Sequence, residues 1–323
     1  MRTRPTRLGL GCAQLGNLYR AISDETASSI VARAWEVGVR YFDTAPHYGL
    51  GLSERRLGAA LAGRPREEYV LSTKVGRLLE ENPDYAGECD LADGFDVPAT
   101  LRRRRDYSRD GVFRSLESSL DRLGVDRIDI AFVRDPEDYA EEAMAGAVPA
   151  LLELREQGVL GGVGFGMNFA DVLAEFVRRS DVDVVMIAGR YTLLEQTALD
   201  ELLPLCVERD VAVMAAGVFN SGILASSTLG TTYNYAQAPA DLVERARRIA
   251  GVCARHGVEL PAAAIALPAA HPAVASVVLG ASSVRQVESN AARAAVDVPP
   301  ALWADLIQEG LLRPDTPVLK EAL

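Results

Sequence analysis

Short apolar runs alternate with amphipathic, helix-like stretches along nearly the whole chain. Several of the runs are continuous in Val, Ile and Leu, without the polar alternation of a half-exposed strand, which predicts strands covered on both faces. Eight such runs are strand candidates: Leu8–Ala13, Val39–Asp43, Tyr69–Val75, Ile128–Val133, Gly162–Met167, Val182–Ala188, Val211–Ala216 and Val274–Gly280.

Polar caps and glycine stops predict helices between these runs. Ser23 or Asp24 begins the first helix, which runs through Trp35 to a stop at Gly38. Pro149 lies inside a later helix and predicts a kink or a break there. The other helices are expected at Ser53–Ala62, Asp110–Leu123, Glu141–Gln157, Phe169–Arg179, Leu194–Arg209, Asp241–His256, Val284–Ala295 and Ala301–Glu309.

This alternation of strand and helix predicts the fold class. Repeated about eight times without a long linker, it indicates a parallel sheet with helices on its faces. The chain has 323 residues, and eight strand–helix units in that length favour a closed barrel over an open sheet. We therefore expect an α/β fold, a (β/α)₈ TIM barrel, in a single domain spanning residues 1–323.

Two stretches are longer than ordinary connections, Gly76–Arg109 and Ser221–Pro239. Both follow strand candidates, so both are expected at the end of the barrel where active sites lie. Long loops inside a compact domain are usually lids or binding loops. The basic run Arg102–Arg105 within the first is expected either to face solvent or to contact a phosphate or an acidic substrate.

Composition excludes several classes of function. The formal charge of −11 argues against nucleic-acid binding, which needs a basic face, but leaves room for an anionic cofactor in a local basic pocket. No apolar run reaches the roughly 18 residues of a membrane span, and the first residues lack a signal-peptide core, so we expect a soluble cytoplasmic protein. The three histidines are not at ligand spacing, which argues against a metal site. The widely spaced cysteines are expected as free thiols: Cys12, Cys89, Cys206 and Cys253.

Three polar residues lie at or just past the ends of neighbouring strand candidates. Asp43 ends an apolar run, Tyr48 follows after a proline-bearing turn, and Lys74 comes near the end of the next run. A lysine ammonium beside a tyrosine favours the negative phenolate, and an aspartate can hold the lysine. These residues therefore form a plausible set for proton transfer.

Several motifs together point to a known family: Gly9-Leu10-Gly11-Cys12, Phe42-Asp43-Thr44-Ala45 with Tyr48-Gly49 and Ser53-Glu54, Ser72-Thr73-Lys74-Val75, and Ser115-Leu116 with Leu123-Gly124 and Ile128-Asp129. With them the sequence resembles the aldo-keto reductases over nearly its full length. The motifs at 166–168, 189–194 and 217–222 narrow the resemblance to the branch that oxidises L-fucose or D-threo-aldoses at the anomeric carbon. The resemblance implies a barrel that binds NAD(P)(H) without a Rossmann domain. It also implies Tyr48 as general acid/base, Lys74 as its tuner and Asp43 as the partner of the lysine.

The sequence departs from the family pattern at its fourth catalytic position. The resemblance implies a histidine at the end of the fourth strand, where this chain has Arg134. A guanidinium donates hydrogen bonds from a rigid fork but does not give up a proton. Arg134 can therefore polarise a carbonyl, stabilise an alkoxide or clamp a carboxylate or phosphate, but it cannot shuttle protons.

Three interpretations of Arg134 remain open at this point. It redirects substrate choice, it marks a non-redox or cofactor-sensing descendant, or it is paired with Asp135 or a loop acid while Tyr48 and Lys74 carry the chemistry. His47 is expected in the substrate pocket, where it could replace part of the missing donor. Tyr191 is placed in the same pocket.

The resemblance also implies a cofactor site after the later strands. Asn168 would hold the nicotinamide carboxamide, and the backbone from Phe219 through Asn220 and Ser221 to Gly222 would meet the pyrophosphate. Ala188 and Ala216 stand where an amide and a stacking aromatic are usual, so Tyr191 or Phe219 is expected to cover the ring. Arg285 is the basic residue near the expected 2′-phosphate, which leaves NAD(H) and NADP(H) both open. The adenosine end is assigned to Gly280, Ser282, Ser283, Gln286 and Asn290.

These inferences favour an NAD(P)(H)-dependent oxidoreductase that moves a hydride to or from a carbonyl, lactol or imine carbon of a small molecule. Two alternatives use the same fold. One is a nucleotide-binding sensor or partner subunit, and the other is a non-redox, isomerase- or lyase-like enzyme. The sequence leaves the oligomeric state open.

Overall fold

The computed structural model describes residues 5–226, 228–230, 232–233 and 236–318. Within them the strands are β1 Leu8–Gly11, β2 Tyr41–Asp43, β3 Val70–Val75, β4 Arg77–Glu81, β5 Leu101–Arg105, β6 Ile130–Arg134, β7 Gly162–Met167, β8 Val184–Ala188, β9 Ala212–Ala216, β10 Thr232–Tyr233, β11 Ala236–Gln237 and β12 Val274–Gly280. The α-helices are α1 Asp24–Glu36, α2 Leu52–Leu61, α3 Arg109–Leu123, α4 Ala140–Glu142, α5 Val148–Glu156, α6 Ala170–Arg179, α7 Leu202–Glu208, α8 Ala240–Arg255, α9 Leu260–Ala269, α10 Val284–Ala294 and α11 Pro300–Gln308.

Eight of these strands form a closed parallel barrel in the order β1-β12-β9-β8-β7-β6-β3-β2. The first strand closes the ring, because β1 pairs with β2 on one side and with β12 on the other. All eight strand candidates are thus confirmed, as is the (β/α)₈ TIM barrel. Since the strands are parallel, their C-terminal ends meet at one face, which we call the mouth.

The core has two layers because strand side chains alternate between the two faces of the barrel wall. Eight buried side chains on the strands form a separate cluster inside the barrel, among them Tyr41, Phe132 and Met214. Their chain neighbours, such as Phe42 and Val133, point outward into a larger cluster shared with the helices. The continuous apolar runs of the sequence follow from this double burial.

Two of the expected helices are interrupted, and each contains a proline that helps to explain the interruption. The stretch predicted at Glu141–Gln157 consists of α4, a π-helical turn at Ala143–Ala147, and α5. Pro149 lies in the first turn of α5, where its missing N–H has no intrahelical partner to lose. The stretch predicted at Leu194–Arg209 forms a 3₁₀ turn at Thr197–Leu199 and an α-helix at Leu202–Glu208, with Pro204 in the first turn of the α-helix.

The first long loop is not an irregular lid but contains an antiparallel hairpin of β4 and β5. The basic run lies in β5, where Arg102 and Arg105 are exposed, as expected of a solvent-facing run, while Arg103 and Arg104 form ion pairs within the loop region. A contact of the run with a phosphate or an acidic substrate stays a prediction. Arg103 is largely buried and pairs with Asp90 and Asp93. Arg104 pairs with Glu80 and Asp106, and Arg105 lies over the ring of Tyr139.

The second long loop folds back on the turn after β9. The hydroxyl of Thr232 in β10 donates to the carbonyl of Ser221, and Tyr233 donates to Glu195. Residues 227, 231, 234 and 235 of this loop lie outside the described part of the chain. In the described part, no helix combines the length and the apolar character that crossing a membrane requires.

Candidate active site

A buried ion pair lies at the mouth, between the C-terminal ends of β2 and β3. Lys74 on β3 donates to both carboxylate oxygens of Asp43 on β2, at 2.9 and 2.7 Å, and to the carbonyl of Thr44 at 2.9 Å. The side chains of the pair are only 3% and 4% exposed. Burial opposes the charge of Lys74, but the carboxylate of Asp43 prevails and raises the pKa of Lys74. The lysine is therefore a fixed ammonium.

Further polar side chains hold this pair in place from behind. The hydroxyl of Ser72 donates to Asp43 at 2.7 Å. Thr73, the neighbour of Lys74, donates to the fully buried carboxylate of Glu54 at 2.7 Å. The other oxygen of Glu54 accepts from Arg122 on α3 at 2.6 Å. These bonds tie the strand that carries Lys74 to two helices, which restricts movement of the ammonium.

Tyr48 lies beside this ion pair, on the turn that follows β2, and is half-buried. The Nζ atom of Lys74 is 5.0 Å from the centroid of its ring, and the Cζ atom of Arg134 is 5.5 Å from it. Tyr48 therefore lies close to two permanent cations. The turn needs glycine, because a Cβ on Gly49, at φ 59°, would lie 2.2 Å from the carbonyl oxygen of Gly16.

Arg134 is the last residue of β6, and its neighbours hold it towards Tyr48. Its Nε atom lies 3.0 Å from the carboxylate of Asp135, which also accepts from Arg77 at 2.9 Å. Asp135 adopts a left-handed backbone with φ 41°. The hydroxyl of Tyr107 lies 2.9 and 3.0 Å from the carbonyl oxygens of Arg134 and Asp135. The expected pair with Asp135 is thus present, and the guanidinium faces the mouth as well.

Sequence reasoning missed Arg77 and Tyr107. Arg77 comes directly after Gly76, which follows the end of β3, and this position at a strand end was the available signal. Tyr107 carried no such signal, because its place depends on the path of the long loop. A Cβ on Gly76 would lie 2.4 Å from the Tyr107 ring, so that ring packs directly on the backbone leaving β3.

His47 is buried in the mouth next to Tyr48, with ring centroids 6.1 Å apart. Its Nδ1 atom lies 3.3 Å from an Nη atom of Arg77, and since a guanidinium only donates, Nδ1 accepts. Burial, and then the cations Arg134, Arg103 and Arg77, lower the pKa of His47 far below its ordinary value. His47 is therefore a neutral imidazole with its proton on Nε2.

Tyr191, expected in the substrate pocket, is buried in the structure, and its place in the pocket stays a prediction. Its side chain is 2% exposed and belongs to the core shared by the strands and helices, where its ring contacts the edge of His271 at 5.6 Å. Burial raises the pKa of Tyr191.

The turn after β9 has the backbone expected of an anion-binding segment. Following Phe219, the residues Asn220, Ser221 and Gly222 have φ values of 44°, 58° and 108°. Left-handed residues next to right-handed ones direct successive N–H groups to one side, a geometry that suits phosphate. Asn220 is 2% exposed and donates to the carbonyl of Gly189 at 3.2 Å. Its buried Oδ1 atom has no hydrogen-bond partner among the described residues, which fits a bound polar group.

The segment after β12 lies next to this turn, because β9 and β12 are neighbours in the barrel. Gln286 accepts from the backbone N–H and the hydroxyl of Ser282, at 2.7 and 3.1 Å. Ser283 accepts from the N–H of Gln286 and caps α10. Asn290 donates to the carbonyl of Gly280 at 3.4 Å.

Two residues after β1 join this segment and were missed by the sequence reasoning. Arg20 donates to the hydroxyl of Ser282 at 3.0 Å. The side chain of Gln14 lies against Gly280, where a Cβ would come within 2.5 Å of its Oε1 atom. The predicted barrel could have revealed them. Closing the barrel makes β1 and β12 neighbours and brings together the loops that follow these strands.

Asn168 follows β7 and lines an open cavity of about 420 Å³ together with Arg190 and Glu195. Ala188 and Ala216 stand where the resemblance implies an amide and a stacking aromatic side chain. They are the last residues of β8 and β9 and pair with each other. The cofactor residues implied by resemblance thus follow β7, β9 and β12, whereas Asp43, Lys74 and Arg134 lie on the adjacent strands β2, β3 and β6.

Comparison with known proteins identifies relatives along the whole chain. The model of the aldo/keto reductase family matches residues 7–306. D-threo-aldose 1-dehydrogenase of a Pseudomonas species is 48% identical over 309 residues, covering 94% of each chain. Pyridoxal 4-dehydrogenase of Microbacterium luteolum is 38% identical over 324 residues, covering 95% of this chain and 94% of that protein.

Solved structures agree with these relatives. The holo form of the aldo-keto reductase AKR11C1 from Bacillus halodurans has a TM-score of 0.74 and 26% identity, covering 98% of this chain and 95% of that chain. Two relatives above 30% identity are dehydrogenases, and the family match spans most of the sequence. The chain therefore belongs to the aldo/keto reductase family and is an NAD(P)-dependent oxidoreductase.

Proposed function

We propose that this enzyme oxidises the anomeric carbon of an aldose, converting the cyclic hemiacetal into a lactone. The observation that carries the proposal is the pair of cations, Lys74 and Arg134, within about 5 to 6 Å of the Tyr48 ring. The oxidation of an alcohol requires a group that accepts its proton, and Tyr48 in its phenolate form is such a group. The relative at 48% identity, a D-threo-aldose 1-dehydrogenase, supports the same direction and substrate class.

Each residue at the mouth has a distinct part in this reaction. Tyr48, as a phenolate, accepts the proton of the anomeric hydroxyl and becomes a neutral phenol, and Lys74, held by Asp43, stabilises the negative charge shared by the two oxygens during the transfer. His47 donates a neutral hydrogen bond from Nε2 to the reacting oxygen. Arg134 orients the substrate and does not exchange protons. The bound NAD(P)⁺ supplies the acceptor for the hydride that leaves the anomeric carbon.

The cofactor residues are proposed in two groups. Asn168 holds the carboxamide, with Phe219 beside the ring, and the backbone of Asn220, Ser221 and Gly222 binds the pyrophosphate. Gly280, Ser282, Ser283, Gln286 and Asn290 bind the adenosine end. Arg20 and Arg285 are the basic side chains there, and Arg20 already contacts Ser282. Both NAD⁺ and NADP⁺ remain candidates, and two cations near the expected 2′-phosphate favour NADP⁺.

The test is reduction of NAD⁺ or NADP⁺ with a panel of aldoses, followed by absorbance of the reduced nicotinamide. The wild-type enzyme should oxidise at least one aldose, and the product should be a lactone. Tyr48→Phe should lower kcat by about 10²- to 10⁴-fold, since only the proton acceptor is removed. Cofactor binding, measured by fluorescence quenching, should remain within about twofold because Tyr48 is assigned to the proton and is not among the residues proposed to hold the cofactor.

Two outcomes contradict this proposal. Normal turnover by Tyr48→Phe would show that another group accepts the proton. Tight cofactor binding without reduction of either nucleotide by any aldose would favour the sensor or the non-redox alternative.

A further inference from the structure

One aromatic side chain of the long loop after β3 packs against both His47 and Tyr48. The ring centroid of Phe95 is 5.3 Å from that of His47, at an interplanar angle of 90°, and 6.1 Å from that of Tyr48, at 35°. Contacts between rings at these distances are favourable and depend on orientation. Since Phe95 is only 2% exposed, its role is to support these rings and not to contact a substrate.

The segment that carries Phe95, residues 89–98, is held by hydrogen bonds of its own backbone. The N–H of Asp90 donates to the carbonyl of Val97 at 2.8 Å, and the N–H of Phe95 donates to the carbonyl of Asp90 at 3.0 Å. Asn17, on the loop after β1, forms two hydrogen bonds with the backbone of Asp96, each at 3.0 Å. These bonds give the segment, which we call the Phe95 segment, a fixed place beside the mouth.

Arg103 on β5 joins the Phe95 segment to the turn that carries Tyr48. Its two Nη atoms donate to the two carboxylate oxygens of Asp90, at 2.7 and 2.5 Å. One of them also donates to the backbone carbonyl of His47 at 2.9 Å. A bidentate pair of arginine and carboxylate fixes geometry as well as charge. The Arg103–Asp90 pair therefore holds the Phe95 segment in register with His47, the chain neighbour of Tyr48.

The ring of Tyr48 needs such support because its turn fixes only the backbone. Gly16 and Gly49 pack at backbone contact, whereas a side chain on a turn can change rotamer unless its neighbours fill the space around it. The half-buried ring of Tyr48 has Phe95 as an aromatic neighbour and the ammonium of Lys74 at 5.0 Å from its centroid. Misplacing a reacting group by about 1 Å can cost roughly 10²-fold in rate. A residue that prevents this movement therefore contributes to the rate without touching the reacting atoms.

We propose that Phe95 is a positioning residue that holds the ring of Tyr48 in the orientation needed for proton transfer, and that the Arg103–Asp90 pair holds Phe95 in place. This inference rests on the proposed role of Tyr48 as the proton acceptor. Phe95 forms and breaks no bond in the reaction. It affects the rate through Tyr48, which distinguishes it from a residue that only stabilises the fold.

The first test is Phe95→Leu, which keeps an apolar side chain in the segment but removes the ring. With an aldose that the wild-type enzyme oxidises, kcat should fall about tenfold or more, and the dissociation constant of the cofactor should stay within about twofold. The matched control is Phe176→Leu on α6, which removes a similarly buried ring that stacks on Phe165 at 4.3 Å. There kcat should stay within about twofold. An equal loss of kcat in the two variants would overturn the inference.

A double-mutant cycle shows whether Phe95 acts through Tyr48. Phe95→Leu should lower kcat by about tenfold or more when Tyr48 is present. In the Tyr48→Phe background the same change should cost less than about threefold, because the group that Phe95 positions has been removed. Losses that multiply would overturn the inference, since Phe95 would then act independently of Tyr48.

Arg103→Lys tests the second part of the proposal. Lysine keeps the charge but lacks the fork that binds both oxygens of Asp90, so kcat should fall about threefold or more. Added to Phe95→Leu, it should cost no more than about a further twofold, because both changes release the same ring. A full additional loss would overturn the role of the Arg103–Asp90 pair. Circular dichroism should show that each variant is folded.

The possible failures are distinguishable. If Phe95→Leu keeps kcat within about twofold of wild type, the inference is wrong and the proposed function stands. If the wild-type enzyme oxidises no aldose, the proposed substrate class is wrong. The same variants are then measured in the reduction of 4-nitrobenzaldehyde by NADPH or NADH, where Tyr48 donates the proton. Normal turnover by Tyr48→Phe, or no wild-type turnover in either assay, would overturn both proposals.

Discussion

At the scale of single residues, the site depends on buried side chains whose opposite charges compensate each other. Asp43 and Lys74 neutralise each other in a place with almost no solvent, so neither can be altered alone without leaving an uncompensated charge. Arg134 adds a further cation, 5.5 Å from the centroid of the Tyr48 ring. Burial first, and then nearby cations that include Arg134 and Lys74, lower the pKa of His47 and keep it neutral.

We expect Asp43→Asn to destabilise the protein by about 3–5 kcal/mol, because Lys74 would remain buried without its anionic partner. Urea denaturation at neutral pH measures this loss. The matched control is Glu244→Gln, which breaks the exposed pair with Arg247 and should cost less than about 1 kcal/mol. Equal losses in the two variants would contradict a special role for burial at Asp43.

His47 should make stability depend on pH. Its folded-state pKa lies far below the ordinary value of 6.5, so below about pH 6.5 the unfolded chain takes up a proton that the folded protein does not. Stability then falls as the pH falls, by at most about 1.4 kcal/mol per pH unit for this residue. His47→Gln should flatten the curve of unfolding free energy between roughly pH 6 and 4. Parallel curves for the two proteins would contradict the burial of a neutral imidazole.

The sequence predicted part of this residue-level arrangement. Asp43 and Lys74 could be found because each stands at or near the end of an apolar run, and a parallel barrel brings such ends together. Arg134 could be found as a departure from a motif. The shared use of Asp135 and the tautomer of His47 could not, since both depend on Arg77 and Tyr107, whose positions are set by loop geometry.

At the scale of elements, the pattern of apolar residues predicted the elements that leave such a pattern in the sequence. All eight barrel strands were found, because double burial leaves continuous apolar runs. Helix α9 was missed, since Leu260–Ala269 is apolar on every side and almost entirely buried. The hairpin was missed because β5 is a run of arginines, a residue pattern with weak strand preference whose pairing depends on the acids around it.

Helix packing gives a prediction at this scale, on two glycines that lie inside helices. A Cβ on Gly58 in α2 would lie 2.0 Å from the carbonyl oxygen of Leu123, so these helices pack at backbone contact. A Cβ on Gly251 in α8 would meet nothing within 4 Å. Gly58→Ala should therefore destabilise by about 1–3 kcal/mol, and Gly251→Ala should stabilise by up to about 1 kcal/mol. Thermal unfolding measures both, and stabilisation by Gly58→Ala would contradict the close packing.

At the scale of the whole molecule, the order of the strands around the barrel separates two groups of residues at the mouth. The strands that carry Asp43, Lys74 and Arg134 are consecutive in the ring, and the segments proposed to bind the cofactor follow other strands, β7, β9 and β12. The sequence predicted the closed barrel but not the polarity of its mouth. A formal charge of −11 describes the surface on average, and only the fold shows that cations gather at one end.

The closure of the barrel by β12 has a consequence for how the protein is made. β12 pairs with both β1 and β9, so a nascent chain that ends before Val274 has two open strand edges. Leu8 in β1 pairs with Val277 in β12, although the two residues are far apart in sequence. Contacts so distant in sequence form late in folding. Until the last strand leaves the ribosome, those edges are the places where the growing chain is most exposed to pairing with a neighbour.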